Sequence, residues 1–426
     1  MMTLVLNDST QKQYEQYHLY PERGLLNDPN GLVYFKGKYH VFYQWNPNEC
    51  DHSQKYWGHF ISDDLKHWVR LDAALAPSEM EDAGGVYSGS AFVKDEKLYL
   101  FYTGNRRDEN GKSIASTQML AASEDGIDFK KLGSIFDHPT GYTKDVRDPM
   151  VWQGKNGHYY LILGARPNNN IGDIIIYEST DFLKWRFRGS LIEGELQNVR
   201  GYMLECPNLI KVDGKDVLIF SPQGLAADQA NHRYENIYNT GYVVGKFNEE
   251  TAHFEAETNF KELDQGFEFY APQTMQLENG RQIMWGWAGI MPPEREQTLP
   301  TIESKNWAHV LTVPRELHII DDELIQTAIP EILEVKEIKN VTDMQSLGVG
   351  QYLINTQDNW KLHFGMDMTL ERLGQSLILS RRQWDNNIVE ERVAIGQHDN
   401  ILMIVDHDII EVFTDDGKQV MTARYF

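Results

Sequence analysis

The sequence is short of cysteine, of positive charge and of long apolar runs, and each shortage removes a class of protein. Its two cysteines, Cys50 and Cys206, are too few and too far apart for a disulfide framework or a zinc site. Lys and Arg number 40 against 63 Asp and Glu, a formal net charge of −23 at pH 7. A field of that sign repels nucleic acid and anionic membrane surfaces, so neither is expected as a partner. A small anionic substrate held by a few local cations remains compatible with it. No apolar stretch approaches the length of a membrane span. Met1 to Asp8 lacks the basic start of a signal peptide, so a cytoplasmic location is the expectation. Helical periodicity is almost absent too, which leaves strands as the main element.

What the chain does contain is a repeat. Tyr34 to Tyr43 reads as an alternating strand, a Gly turn and a second alternating strand. The pattern returns at Phe92 to Phe101, Val151 to Tyr160, Leu209 to Leu218 and Met275 to Met284. The five turns, near Gly37, Glu96, Lys155, Gly214 and Gly280, are spaced by roughly 59 to 66 residues. A Ser/Asp-rich turn leading to one large aromatic follows three of the hairpins, ending at Trp68, Phe129 and Trp185. Those aromatics are expected to pack between repeats. Five repeats of short antiparallel strands predict an all-β fold, a five-bladed β-propeller over residues 1–316. From about Leu317 the strand-like runs shorten, at Leu353–Asn355, Ser376–Ser380, Ile401–Val405 and Ile409–Phe413, with Asn/Asp/Gly turns between them. That segment, 317–426, is expected to be a β-sandwich without catalytic residues.

The chemistry is expected at the strand entrances. In Asn27-Asp28-Pro29-Asn30-Gly31, Pro29 restricts the backbone of Asp28 and Gly31 permits a turn. Alone this would be a surface turn. Arg147-Asp148-Pro149 and Glu205-Cys206-Pro207 are related stretches, so an acidic residue enters a strand three times. Asp28, Ser88, Asp148, Glu205 and Ala271 each precede their hairpin turn by a similar interval. Repeats around one axis would bring such equivalent places together, and carboxylates gathered around one sugar bond are what glycoside hydrolysis requires.

On these stretches the chain resembles glycoside hydrolase family 32. Further matching motifs are Phe42-Tyr-Gln-Trp-Asn-Pro47, Trp57-Gly-His59, Tyr87-Ser-Gly-Ser-Ala91, Gly266-Phe-Glu-Phe-Tyr-Ala-Pro-Gln273, Trp307-Ala-His309, Pro314-Arg-Glu-Leu317 and Ile409-Ile-Glu-Val-Phe413. The resemblance covers nearly the whole chain and implies a five-bladed propeller followed by a β-sandwich. It also implies Asp28 as nucleophile, Glu205 as general acid/base and Asp148 as a stabiliser binding fructosyl hydroxyls. Crowding of three carboxylates is expected to raise the pKa of Glu205, with Asp28 kept ionised and Arg147 a donor nearby. Asn27, Gln44, Tyr87, Ser88 and Trp287 match sugar-contacting positions, and Trp57 and Tyr270 are further candidates. The chain departs from many relatives at Leu25, His52 and Asn208.

The resemblance implies a retaining β-fructofuranosidase that releases fructose and glucose 6-phosphate from sucrose 6-phosphate. The alternative is an intracellular β-fructosidase acting on free sucrose or short fructo-oligosaccharides, and a third reading is a non-catalytic carbohydrate-binding propeller. Neither metal nor cofactor is expected, because two carboxylates suffice for the reaction. A phosphate would need a local cationic cluster, and Arg106, Arg107 and Lys112 in the loop after the second hairpin form the most basic candidate.

Overall fold

The computed structural model describes residues 14–338, 341 and 345–426. All five expected hairpins form, and each opens a sheet of its own. The first sheet is an antiparallel meander of β1 (Gly24–Phe35), β2 (Lys38–Asn46), β3 (Tyr56–Ser62) and β4 (Trp68–Leu75). The second contains β5 (Gly85–Lys94), β6 (Lys97–Arg107), β7 (Ser113–Ser123) and β8 (Lys130–Asp137). The third contains β9 (Tyr142–Gln153), β10 (Tyr159–Pro167), β11 (Asp173–Ser179) and β12 (Arg186–Ser190). The fourth contains β13 (Met203–Val212), β14 (Lys215–Gln223), β15 (Gly241–Asn248) and β16 (His253–Ala256), with the short β17 (Lys261–Glu262) beside β15. The fifth starts with β18 (Tyr270–Gln276) and β19 (Gln282–Ala288). Two short helices, Pro293–Glu296 and Pro300–Lys305, and the two-residue strands β20 (Trp307–Ala308) and β21 (Val310–Leu311) follow. The fifth sheet is then completed by β22 (Arg315–Ile320) and β23 (Glu323–Ala328).

The first strands of these sheets lie side by side: β1 on β5, β5 on β9, β9 on β13, β13 on β18, and β18 back on β1. Between the first and fifth sheets, β20 pairs in parallel with β1 while β21 pairs with β19. The three expected aromatics pack as the repeat requires. Trp68 meets Trp285 of the fifth sheet edge-on, Phe129 meets Phe42 of the first, and Trp185 meets Phe101 of the second. Each therefore reaches the second strand of the preceding sheet. The turns before them are built alike, with one oxygen of Asp64, Asp125 or Asp181 accepting two successive backbone N–H groups.

The division expected after residue 316 cuts through β22, which belongs to the fifth sheet, and that sheet runs on to Ala328. The short strands after Leu317 resemble those further on, which is why the sequence pattern ends the repeat early. Beyond Ala328 come β24 (Lys336–Ile338), β25 (Gln345–Ser346), β26 (Gly350–Asn355), β27 (Trp360–Phe364), β28 (Met368–Leu373), β29 (Ser376–Arg382), β30 (Val389–Ile395), β31 (Asn400–Val405), β32 (Ile409–Thr414) and β33 (Gln419–Arg424). They form two five-stranded sheets, ordered β24-β26-β31-β32-β33 and β25-β27-β28-β29-β30. Leu362, Leu370 and Leu379 of one share a core with Ile401, Met403 and Val412 of the other.

Buried charge joins this last region to the rest. The Arg315 guanidinium, wholly buried, donates to Glu411 at 2.6 Å and to Asp264 at 3.1 Å. His18 lies between Asp406 and Glu411, both at 3.0 Å, and these carboxylates hold its pKa up at about 9 against burial. Among the described residues no helix is long and apolar enough to cross a membrane.

Candidate active site

The same irregularity interrupts the first strand of every one of the five leading sheets. Each carries one extra residue relative to its partner strand, between Leu26 and Pro29, Tyr87 and Gly89, Arg147 and Met150, Glu205 and Asn208, and Tyr270 and Gln273. A bulge of this kind bends the strand and re-aims a side chain. Asp148, Cys206 and Ala271 take the left-handed backbone that accommodates it, with φ of 66°, 46° and 48°. A proline follows each of the three, as Pro29 follows Asp28.

Aligned on the proline that follows, with Gly89 in its place in β5, the equivalent residues are Asp28, Ser88, Asp148, Cys206 and Ala271. This corrects the expected equivalence of Glu205 with Asp28. Glu205 belongs one residue earlier, with Asn27, Tyr87, Arg147 and Tyr270. The hydrogen bonds follow these two levels. On the first, Ser88 Oγ donates to Asp28 Oδ2 at 2.6 Å, and the Cys206 N–H donates to Asp148 Oδ2 at 3.0 Å. The Cys206 thiol lies 3.8 Å from Asp28 Oδ2, so the three acidic stretches meet around this residue. On the second level, Arg147 donates to Glu205 Oε1 through Nε at 2.9 Å and Nη2 at 2.6 Å. Tyr270 Oη donates to Glu205 Oε2 at 2.6 Å.

Two of the three carboxyls, Asp148 and Asp28, are raised. Burial pushes Asp148 up to about 7 despite the adjacent Arg147 guanidinium, and Glu205 and Asp28 add to the rise. Burial raises Asp28 as well, opposed by the hydrogen bonds from Ser88 and Asn27. Counting charges could not foresee this, because the dominant cause is the depth at which the bulge sets each side chain.

The other expected residues divide into those that reach the site and those that support it. Asn27 Nδ2 donates to Asp28 Oδ1 at 3.0 Å. Tyr87 Oη accepts from Arg107 Nη2 at 3.0 Å. Trp287, nearly buried, stands edge-on to His309 and His52. Gln44 is turned to the backbone, its Nε2 donating to the Val86 carbonyl at 2.9 Å. Trp57 is corrected to a core residue. It is 0% exposed, packs among Phe42, Leu100 and Tyr102, and donates its indole N–H to the Tyr87 carbonyl at 3.0 Å. Its ring has no free face for a sugar.

Of the basic loop, only Arg107 joins the site, donating also to the backbone carbonyls of Ser53 at 2.8 Å and His52 at 3.4 Å. Arg106 precedes it on the same strand, half-buried, with its Nε unpaired among the described residues. Lys112 is exposed and closes the Asp108–Lys112 turn. Leu25 is buried with Met291 and Leu299, and Asn208 ties β13 to β18 by donating to the Cys206 and Pro272 carbonyls at 3.0 and 3.1 Å.

Three residues escaped the sequence reading. Gln223 Nε2 donates to Glu205 Oε2 at 2.6 Å, Lys55 Nζ donates to Asn27 Oδ1 at 2.5 Å, and Cys206 forms the hub just described. Only Cys206 had a signal, the alignment of Pro207 with Pro29 and Pro149. A cavity of about 1200 Å³ lies elsewhere, among Tyr234, Phe260 and Glu262 of the fourth sheet's outer edge and Val393 and Gln419 of the last region. None of the three carboxylates lines it. Among the described residues no three His, Cys, Asp or Glu side chains are grouped to hold a metal ion.

Residues 18–328 match the glycosyl hydrolases family 32 N-terminal domain. The chain belongs to family 32. Its family 32 character extends to full-length comparisons. It is 38% identical to the sucrose-6-phosphate hydrolase of Bacillus subtilis (strain 168), with 99% of this chain and 90% of that protein covered. Against the sucrose-6-phosphate hydrolase of Klebsiella pneumoniae the identity is 37%, covering 97% and 88%. The solved structure of sucrose-6-phosphate hydrolase from Lactobacillus gasseri superposes with a TM-score of 0.83 at 31% identity, covering 98% of this chain and 89% of that one. A Bombyx mori GH32 beta-fructofuranosidase gives 0.81 at 30% identity, with 98% and 89% covered. This family 32 chain is a glycoside hydrolase.

Proposed function

We propose that the chain is a cytoplasmic, retaining β-fructofuranosidase that hydrolyses sucrose 6-phosphate to fructose and glucose 6-phosphate. The observation that carries the reading is the convergence of Asp28, Asp148 and Glu205 on Cys206 from three separate sheets. In this reading the five leading sheets are blades of a five-bladed β-propeller ending near Ala328, and the last two sheets pack as a β-sandwich. The circuit of first strands supports the former and the shared core the latter.

The mechanism follows from the two levels. Asp28 attacks the anomeric carbon of the fructosyl unit and forms an ester, while Glu205 protonates the departing glucosyl oxygen. Glu205 then takes a proton from water, which displaces fructose from Asp28 with net retention. Ser88 and Asn27 each hold one oxygen of Asp28, fixing the carboxylate plane. Asp148 keeps Oδ2 on the Cys206 N–H, leaving Oδ1 for fructosyl hydroxyls. Arg147, Gln223 and Tyr270 fix Glu205 by both its oxygens.

The phosphate is assigned to Arg107, beside Tyr87 at the edge of the site. The names of the similar proteins support a phosphorylated substrate. One observation favours the second reading, a β-fructosidase of free sucrose or short fructo-oligosaccharides. Arg107 already spends donors on the Ser53 and His52 carbonyls, as a purely structural arginine would. Side-by-side hydrolysis of sucrose and sucrose 6-phosphate decides between them: the proposal expects kcat/KM to favour the phosphorylated sugar by at least about tenfold. Equal values for the two sugars would establish the second reading.

A further inference from the structure

We propose that Lys55 is a positioning residue for Asp28, acting through the side-chain amide of Asn27. Lys55 sits just before β3 and is buried, with 6% exposure. Its ammonium donates to Asn27 Oδ1 at 2.5 Å, and Asn27 Nδ2 donates to Asp28 Oδ1 at 3.0 Å. An ammonium offers only donors and an ionised carboxylate only acceptors. An amide between them has one orientation that satisfies both. Without the lysine, Asn27 could turn its oxygen toward Asp28 and repel it.

The ammonium is itself anchored from the far side. His52 Nδ1 lies 2.8 Å from Lys55 Nζ and must accept, which leaves the His52 Nε2–H to donate to Glu296 Oε1 at 3.1 Å. The same oxygen of Glu296 lies 2.8 Å from His309 Nε2. The Lys55 carbonyl accepts the Val86 N–H at 2.9 Å, tying the backbone here to β5. The charged and titratable groups facing Lys55 are Asp28 from β1, Arg107 from β6, Glu296 from the first helix, and Asp51 and His52 from its own loop. Burial brings its pKa down to about 8, outweighing the attraction of Asp28 and Glu296. The ammonium is therefore present at neutral pH and lost as pH rises past that value.

The inference rests on Asp28 being the nucleophile, and a double-mutant cycle with Asp28→Asn alongside tests both. Lys55→Met should lower kcat about tenfold to a hundredfold on sucrose and on sucrose 6-phosphate alike, the loss of one charge-assisted hydrogen bond. In an Asn27→Ala background the same replacement should cost less than about twofold. Independent, multiplying losses would overturn the proposal, as would a loss confined to the phosphorylated sugar. A measurement on the unaltered enzyme does not depend on the variants folding. With a fructoside whose leaving group needs no proton, kcat should fall as pH rises past about 8. A rate that stays level there overturns the proposal. Turnover in Asp28→Asn overturns the nucleophile assignment and this proposal with it. An inactive Asp28→Asn with multiplying Lys55 and Asn27 losses overturns this proposal alone.

Discussion

Arg147 places two nitrogens on one oxygen of Glu205, Nε at 2.9 Å and Nη2 at 2.6 Å. The two residues occupy the same level of neighbouring sheets, one residue before the bulge in β9 and in β13. Glu205 is thus held by its Oε1 from the third sheet, and by its Oε2 from Gln223 of its own sheet and Tyr270 of the fifth. A carboxyl fixed by three sheets keeps its place while it gives and takes a proton.

Glu205→Gln keeps the shape and removes the acid. Hydrolysis of sucrose 6-phosphate should fall by at least about a hundredfold, the usual worth of general acid catalysis. A fructoside with a good leaving group should lose far less in the fructosyl-transfer step. Equal losses for both substrates, measured as pre-steady-state rates, would remove Glu205 from the acid role.

Asp148→Asn should reveal the buried carboxyl through stability. Its folded pKa, about 7, lies above the ordinary 3.8, so its contribution is fully present below pH 3.8 and is lost as pH rises through about 7. The amide variant lacks this dependence and can still accept the Cys206 N–H. The difference in melting temperature should therefore shift in favour of the variant between pH 4 and pH 7 and level off above. A difference independent of pH would contradict the raised pKa.

The sequence made the hairpins legible because alternation and turn residues are local, and all five formed where the pattern placed them. Asp28 and Asp148 were legible for the same reason, each lying beside a proline in a repeat. Glu205 was found but set one residue out of register, because its acidity drew the alignment that Pro207 should have set. Tyr270 and Gln223 reach Glu205 across and along sheets, a relationship fixed by how strands stack rather than by spacing. Trp57 lies in a motif shared with the family and was only a further candidate for the sugar, and its ring is in the core between the first two sheets. The length of the fifth sheet was missed because β22 and β23 follow two helices and two short strands that break the repeat.

Gly164→Ala tests how closely the third and fourth sheets must approach. A Cβ at this position would lie 2.0 Å from the Leu204 carbonyl oxygen and 3.2 Å from Glu205 Cα. The first is backbone and cannot rotate away. The variant should lose about 1–3 kcal/mol of stability as an overpacked site, and its kcat should fall with it because the strand carrying Glu205 must move. Wild-type melting and wild-type kcat together would show that the contact is not tight.

Arg107→Ala addresses the phosphate. If the guanidinium reads it, KM for sucrose 6-phosphate should rise about tenfold to a hundredfold while sucrose changes little. Parallel changes for both sugars would make Arg107 a support for Tyr87 and the His52–Ser53 backbone.

The most direct test is to find the fructose on the protein. The Glu205→Gln variant, given a fructoside with a good leaving group and quenched in acid, should yield one peptide heavier by a fructosyl residue, with the ester on Asp28. Asp28→Asn in the same background should yield none. An adduct on another residue, or none while fructose is released with inverted configuration, would contradict the account.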